Sequence, residues 1–462
     1  MKFIKLIIVV SMIFVIFSPA KLINAEEEEN YYTVLLEEHE EWEKARKIIQ
    51  ENNIEIVYSV EEINVFQVKA TQEKMNRIGY KSFINTYNES LRFSNVSNKA
   101  NKIETLENPM LWENQWDMKK VTNDGKSYDV FSGSKNVTVG IIDSGVDSNH
   151  PDLKGNIVPG SKNLVPNGGF RGKEKSETGD INYFEDKTGH GTFTAGQIAA
   201  NGNIKGIAPN IGIKSYRVFG EGLGESIWII KGIIQAAKDD VDVINLSLGQ
   251  YLVDGKVFLN SSESKKDLAE IKAYKRAIKF ARNEGSVVVA AAGNDSLNVN
   301  DSRQMNEIYK KKNTLHEVSY TGKVLDVPAA LPNVVTVSSV GLENELSVFS
   351  NYGEGFIDIA APGGDLKLFN ELGIEQYYSS GAFKKEQVVG TAPGGGYSFS
   401  VGNSVAAPKV SGALALIIDK KNYKNQPNKS TNFLYQHGVN GYEEKYSFFG
   451  HGTLDVYKAV TH

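Results

Sequence analysis

The chain has 462 residues, 40% hydrophobic and 23% charged, a balance that supports a buried core and excludes wholesale disorder. Its net charge of −5 argues against nucleic-acid binding as the main function. The absence of cysteine excludes disulfides, thiolate metal sites, a cysteine nucleophile and lipidation at an N-terminal Cys. None of the seven histidines lies in an H-E-x-x-H pattern, which disfavours a zincin protease.

Residues 1–25 read as a secretory signal. Lys2 and Lys5 precede an apolar run over residues 6–17, broken only by Ser11. Pro19 follows, and Ala25 offers a small residue before the cut. The run is shorter than the ~20 residues of a membrane-spanning helix. The chain carries no hydrophobic tail, so release from the cell, without a stable membrane anchor, is expected.

Residues 26–95 form a small unit. Its pattern predicts a strand at 31–36, a helix at 39–50 and strands at 54–58 and 65–68. A short helix capped by Thr71 follows, and Leu91-Arg92-Phe93 is expected to close the sheet. That order predicts a small α+β sandwich. Residues 96–110 are polar, lack apolar periodicity and read as a linker open to proteolysis.

The remainder, 111–462, has another pattern. Apolar strands are predicted at 137–142, 213–218, 241–246, 287–291 and 334–337, with helices at 226–237 and 273–283 between them. Apolar strands alternating with helices mean an α/β fold: a parallel sheet with helices on both faces. Residues 251–272 and 297–326 read as polar surface insertions.

Three segments pair a reactive side chain with small neighbours. Asp143, in Asp143-Ser144-Gly145, ends a buried strand, where open α/β sheets build their sites. His190 has a glycine on each side. Ser404, in Gly402-Asn403-Ser404-Val405-Ala406-Ala407-Pro408, stands at a helix start, because Pro408 is tolerated only in a first turn. Near that start, backbone N–H groups favour developing negative charge. Singly, each admits a structural role: a turn Asp, a satisfied His, an N-cap Ser.

Together, over residues 110–460, the blocks D-S-G near H-P-D-L, G-H-G-T-x-x-A-G and G-x-S-x-A-A-P resemble the subtilisin-like serine proteases, the subtilases. The resemblance implies a subtilisin-like fold behind an inhibitory, folding-assisting prodomain. It implies Ser404 as nucleophile, His190 as general base, Asp143 as its orienting partner and Asn294 as an oxyanion donor. It also implies peptide binding against Gly222-Leu223-Gly224 and Ser247-Leu248-Gly249, the latter walling the S1 pocket. Asp295 at the pocket rim, with Glu221 and Glu225 on the other edge, then favours a basic P1 residue. The Asn403 variant, the polar insertions and the segment at Trp112 to Asp117 resemble the lantibiotic leader peptidases within the family. That branch implies trimming of a modified precursor peptide; a general degradative subtilase is the alternative. The expected partners are the peptide substrate and the chain's own prodomain, cut by the enzyme itself within 92–110, with Arg92, Lys99 and Lys102 as candidate P1 residues. No cofactor is required for the chemistry. A structural calcium is left open: Asp152 matches one ligand, but the loop 199–206 is short, and one carboxylate does not make a site that takes 6–8 oxygens.

Overall fold

The computed structural model describes residues 28–94, 111–259, 262–263, 268–312, 318–441 and 446–462. The expected signal segment and the expected linker, with Lys99 and Lys102, lie outside them.

The N-terminal domain is a four-stranded antiparallel sheet in the order Glu55–Val60, Val65–Ala70, Asn30–Leu36, Ile84–Glu89. Two helices, Trp42–Glu51 and Gln72–Gly79, cover one face, and Thr71 caps the second by accepting from the Lys74 N–H at 3.3 Å. Strand alternation divides the sheet between two cores. Val34, Leu36, Phe66 and Val68 pack under the domain's own helices. Leu35, Val60 and Val65 face the other way and join the core of the larger domain. The closing strand is Ile84–Glu89, not Leu91-Arg92-Phe93. Residues Arg92–Ser94 instead leave the sheet and pair antiparallel with Leu223–Glu225.

The larger domain is built on a nine-stranded sheet. Its order is Val439–Asn440, Thr453–Leu454, Ile359–Pro362, Val334–Val340, Val287–Ala291, Val243–Leu246, Thr138–Asp143, Gly212–Arg217, Lys162–Asn163. Every neighbouring pair is parallel except the first. The chain runs from Thr138–Asp143 to Gly212–Arg217 on one side, then crosses to Val243–Leu246 on the other. Asp143 therefore ends the strand at which the winding reverses, the place where such sheets open a crevice. Val139 and Ile141 pack on one face under helices His190–Ala199 and Asn403–Lys421. Ile142, Ile244 and Leu246 pack on the other under helices Ser226–Lys238 and Ala269–Asn283.

The two polar segments are more than surface excursions. Gln250–Leu259 and Val318–Val327 form a ten-residue antiparallel ribbon, and Tyr251, Leu252, Val253 and Val257 are buried in the main core.

Candidate active site

The Asp143 carboxylate is 1% exposed, and its Oδ1 accepts the Ser144 N–H at 2.7 Å. His190 opens the helix His190–Ala199 and donates from Nδ1 to Asp143, 2.8 Å from each oxygen. The close fit needs Gly191: a Cβ there would lie 2.1 Å from the Gly145 carbonyl oxygen. Asp186 holds the approach to this helix. Its Oδ1 accepts the N–H groups of Thr188 (3.0 Å) and Gly189 (2.8 Å), and its Oδ2 that of Thr192 (2.8 Å). Sequence reasoning missed Asp186, although an Asp shortly before a helix start is a capping signal. Burial pulls the His190 pKa down, but the charge and hydrogen bond of Asp143, with the Asp186 charge behind them, outweigh it and hold the imidazole above its usual 6.5.

Ser404 is the second residue of helix Asn403–Lys421. Asn294 follows strand Val287–Ala291 by three residues. Its Oδ1 accepts the Asn403 backbone N–H at 2.8 Å and Asn403 Nδ2 at 3.1 Å, leaving its own Nδ2 to turn towards Gly402. A Cβ on Gly402, whose φ is +148°, would stand 3.0 Å from Ser404 Oγ and 3.4 Å from Asn294 Nδ2. A hydroxyl and an amide donor thus converge on one point at a helix N-terminus. Asn403 itself is buried, donates to the Gly293 carbonyl and accepts from Ser350 Oγ at 2.9 Å. Its task is to aim Asn294. Ser404 Oγ makes no hydrogen bond to His190 among the described residues; such bonds commonly close only with substrate in place.

Pro408 lies in the second turn of the serine helix, not the first as its ring chemistry predicts. The N–H that it lacks would have bonded the Ser404 carbonyl, and Ser247 Oγ takes that place at 2.8 Å.

Of the two expected peptide-binding edges, the one at Ser247 touches this site through the Ser404 carbonyl. Leu223 and Gly224 carry the strand Arg92–Ser94, in the register Arg92 opposite Glu225, Phe93 opposite Gly224 and Ser94 opposite Leu223. Gly222, at φ +120°, precedes them. Ser247, Leu248 and Gly249 follow the strand Val243–Leu246. The acidic rim differs from the expectation. Asp295 Oδ2 is engaged by Lys312 Nζ (2.8 Å) and the Tyr251 hydroxyl (2.7 Å). Glu225 is buried against Arg171 at 3.1 Å, and Glu221 accepts from Ser176 Oγ at 2.5 Å. A further carboxylate, Asp326, is 2% exposed and bonded to Asn351 Nδ2 at 2.9 Å, with no ion pair among the described residues. A Cβ on Gly249 would lie 3.1 Å from its Oδ1, and one on Gly293 would lie 2.4 Å from its Oδ2. Asp326 therefore sits between Gly249 and Gly293, the residue before Asn294. Burial pushes its pKa up to about 8.

The residues around Asp152 do not fit a calcium ion. Its Oδ2 already accepts the Ile204 N–H and the Tyr397 hydroxyl, each at 3.0 Å. Buried Gln115 closes the same loop, accepting the Lys205 N–H at 2.9 Å and donating to the Lys205 carbonyl at 2.8 Å. Two of the oxygens that a cation would need, Asp152 Oδ2 and Gln115 Oε1, are thus taken by protein donors.

Residues 134–452 match the model of the Subtilase family. The chain is 40% identical, over 99% of its length and 99% of the relative's, to the epidermin leader peptide-processing serine protease EpiP of Staphylococcus epidermidis. It is 43% identical to the nisin leader peptide-processing serine protease NisP of Lactococcus lactis subsp. lactis, over 76% of this chain and 51% of that one. The crystal structure of EpiP from Staphylococcus aureus superposes with a TM-score of 0.83 at 41% identity, covering 94% of this chain and 98% of the other. That of NisP gives 0.70 at 41% identity, covering 77% and 95%. With a mostly parallel sheet of subtilisin-like fold and a family match over most of its length, the chain belongs to the subtilase family and is a serine protease.

Proposed function

We propose that the chain is the zymogen of a secreted endopeptidase that removes the leader from a modified lantibiotic precursor, cutting after a basic residue. Two observations carry the catalytic part: Ser404 Oγ and the Asn294 amide converge on one point at Gly402, and Asp143 holds His190 on a helix whose Phe193 packs with Val405, the neighbour of Ser404. Ser404 attacks the scissile carbonyl, and His190 takes its proton and returns it to the leaving amine. Asp143 orients the imidazole and stabilises its charged form. The Asn294 amide and the Ser404 N–H bind the oxyanion. Each role is filled by a side chain or backbone group of the chain, so the chemistry calls for no metal.

The leader-peptidase reading is supported by the likeness to the epidermin enzyme along both whole chains. The basic P1 is supported by Asp326, a buried carboxylate at the pocket wall that a guanidinium or ammonium would pair. The zymogen reading is supported by Arg92–Ser94, which occupies the edge at Leu223–Glu225 as a substrate strand would. With Arg92 held inside that strand, Lys99 and Lys102 are the remaining P1 candidates for self-cleavage. Secretion is supported by the pattern of residues 1–25; among the described residues, no helix is long and apolar enough to cross a membrane.

The test is to offer the matured enzyme a lanthionine-containing precursor and casein. One cut after a basic residue in the precursor, with casein left largely whole, is expected. Digestion of casein at many unrelated bonds favours a degradative subtilase instead.

A further inference from the structure

Four cations on the helices beneath the N-terminal domain find their partners in that domain. Lys231 and Lys238, on Ser226–Lys238, pair with Glu62 at 3.3 and 2.6 Å. Arg276, on Ala269–Asn283, lies 3.5 Å from Glu38 and donates to the Ile63 carbonyl at 3.0 Å. Lys272 donates to Asn85 Oδ1 at 3.0 Å. The domain is itself acidic: residues 28–94 hold 13 glutamates and no aspartate against 8 lysines and arginines.

The chain direction joins this basic surface to the site. Upstream of the strand Arg92–Ser94, the Leu91 carbonyl accepts the Ser226 N–H at 3.2 Å. Asn88 Oδ1 accepts the Ala269 N–H at 2.8 Å. The path thus crosses the starts of both helices, and Asn85, seven residues before Arg92, reaches Lys272. Buried Glu270 holds the first stretch, donated to by Asn88 Nδ2 at 2.8 Å. A peptide laid on Leu223–Glu225 in the same direction would carry its N-terminal part over the same helices.

We propose that Lys231, Lys238, Lys272 and Arg276 form an exosite for acidic residues of the substrate, about seven or more positions upstream of the strand that pairs with Leu223–Glu225. The N-terminal domain covers this surface in the zymogen, and its departure opens the surface together with the cleft. The proposal rests on the zymogen reading above. Each surface pair contributes little by itself, but four like charges raise the local concentration of an acidic segment, and salt screens the effect.

The test uses enzyme matured from the full chain and three peptides, identical around an Arg P1 bond. One is unextended, one carries an acidic N-terminal extension and one a neutral extension. The acidic extension is expected to raise kcat/KM on the order of tenfold at low ionic strength, through KM, and to lose that advantage at high salt. The variant Lys231→Gln/Lys238→Gln/Lys272→Gln/Arg276→Gln loses the gain while cutting the unextended peptide at the wild-type rate. Should that variant not mature, the acidic extension alone is added to wild-type enzyme. It is expected to inhibit cleavage of the acidic peptide and spare the unextended one. Equal rates for acidic and neutral extensions, a gain that survives in the variant, or no selective inhibition overturns the exosite. Failure to cut even the unextended peptide overturns the catalytic reading instead.

Discussion

The Ser247 hydroxyl donates to the carbonyl oxygen of Ser404 at 2.8 Å. Pro408, four residues along the helix, has no N–H to offer that carbonyl. Asn245 Nδ2 bonds Ser247 Oγ at 2.9 Å, and Ser411 Oγ bonds Asn245 Oδ1 at 2.8 Å. A relay from the sheet thus holds the first turn of the serine helix. Ser247→Ala leaves the carbonyl without this partner in a half-buried place, at a cost of about 1–3 kcal/mol. We expect a lower urea midpoint together with a reduced kcat. An unchanged kcat in the destabilised variant would show that the relay serves stability alone.

His190 must be neutral to act as base, and Asp143 and Asp186 hold its pKa above 6.5. Activity is therefore expected to rise with pH on a limb whose midpoint lies above that value. Asp186→Asn removes one of the charges that favour the imidazolium, so the limb shifts to lower pH. The measurement is kcat/KM against pH for both enzymes; coincident limbs would contradict the assignment.

Asp326→Asn tests the P1 reading. The carboxylate must ionise to meet a cation, and its pKa is about 8. In the wild type, kcat/KM for an Arg P1 peptide should keep rising through pH 8, while a matched Leu P1 peptide levels off earlier. The variant should lose on the order of tenfold or more on Arg and little on Leu. Equal losses on both peptides would remove Asp326 from specificity.

Lys409 Nζ lies 2.9 Å from Asp117 Oδ2, and both side chains are fully buried. Lys409 also donates to Gln197 Oε1 at 2.8 Å, on the helix that carries His190. Removing one charge strands the other, so Lys409→Met is expected to cost about 3–5 kcal/mol. The double variant Lys409→Met/Asp117→Leu should recover most of it, as read by urea unfolding. Additive losses would mean that the two charges do not compensate each other.

The segments around Asp143, His190 and Ser404 were legible because each motif is local: a strand end, a helix start and flanking glycines stand within a few residues of each. The alternating apolar strands of the sheet were legible for the same reason. Long-range pairing was not. Gln250–Leu259 and Val318–Val327 meet across about sixty to eighty residues, and the polar residues between them hid the buried Tyr251 and Val253.

 Asp326 was missed with that ribbon, as a single carboxylate in a segment that reads as a surface insertion. The departure of Arg92–Ser94 from its own domain was equally hidden, because the edge that captures it, Leu223–Glu225, is more than a hundred residues away. Pro408 shows a local rule overridden, since a side chain from another strand satisfies the carbonyl that the ring leaves free.

The central claim is that Ser404 cuts peptide bonds, beginning with the chain's own linker. Residues 26–462 are expressed as wild type and as Ser404→Ala, and the intact masses are followed over time. The account predicts that the wild type alone splits, within residues 95–110 and after Lys99 or Lys102, while Ser404→Ala stays whole; transferred from other subtilases, the loss in kcat is on the order of 10⁶. Splitting of both chains at the same bond and rate would contradict it.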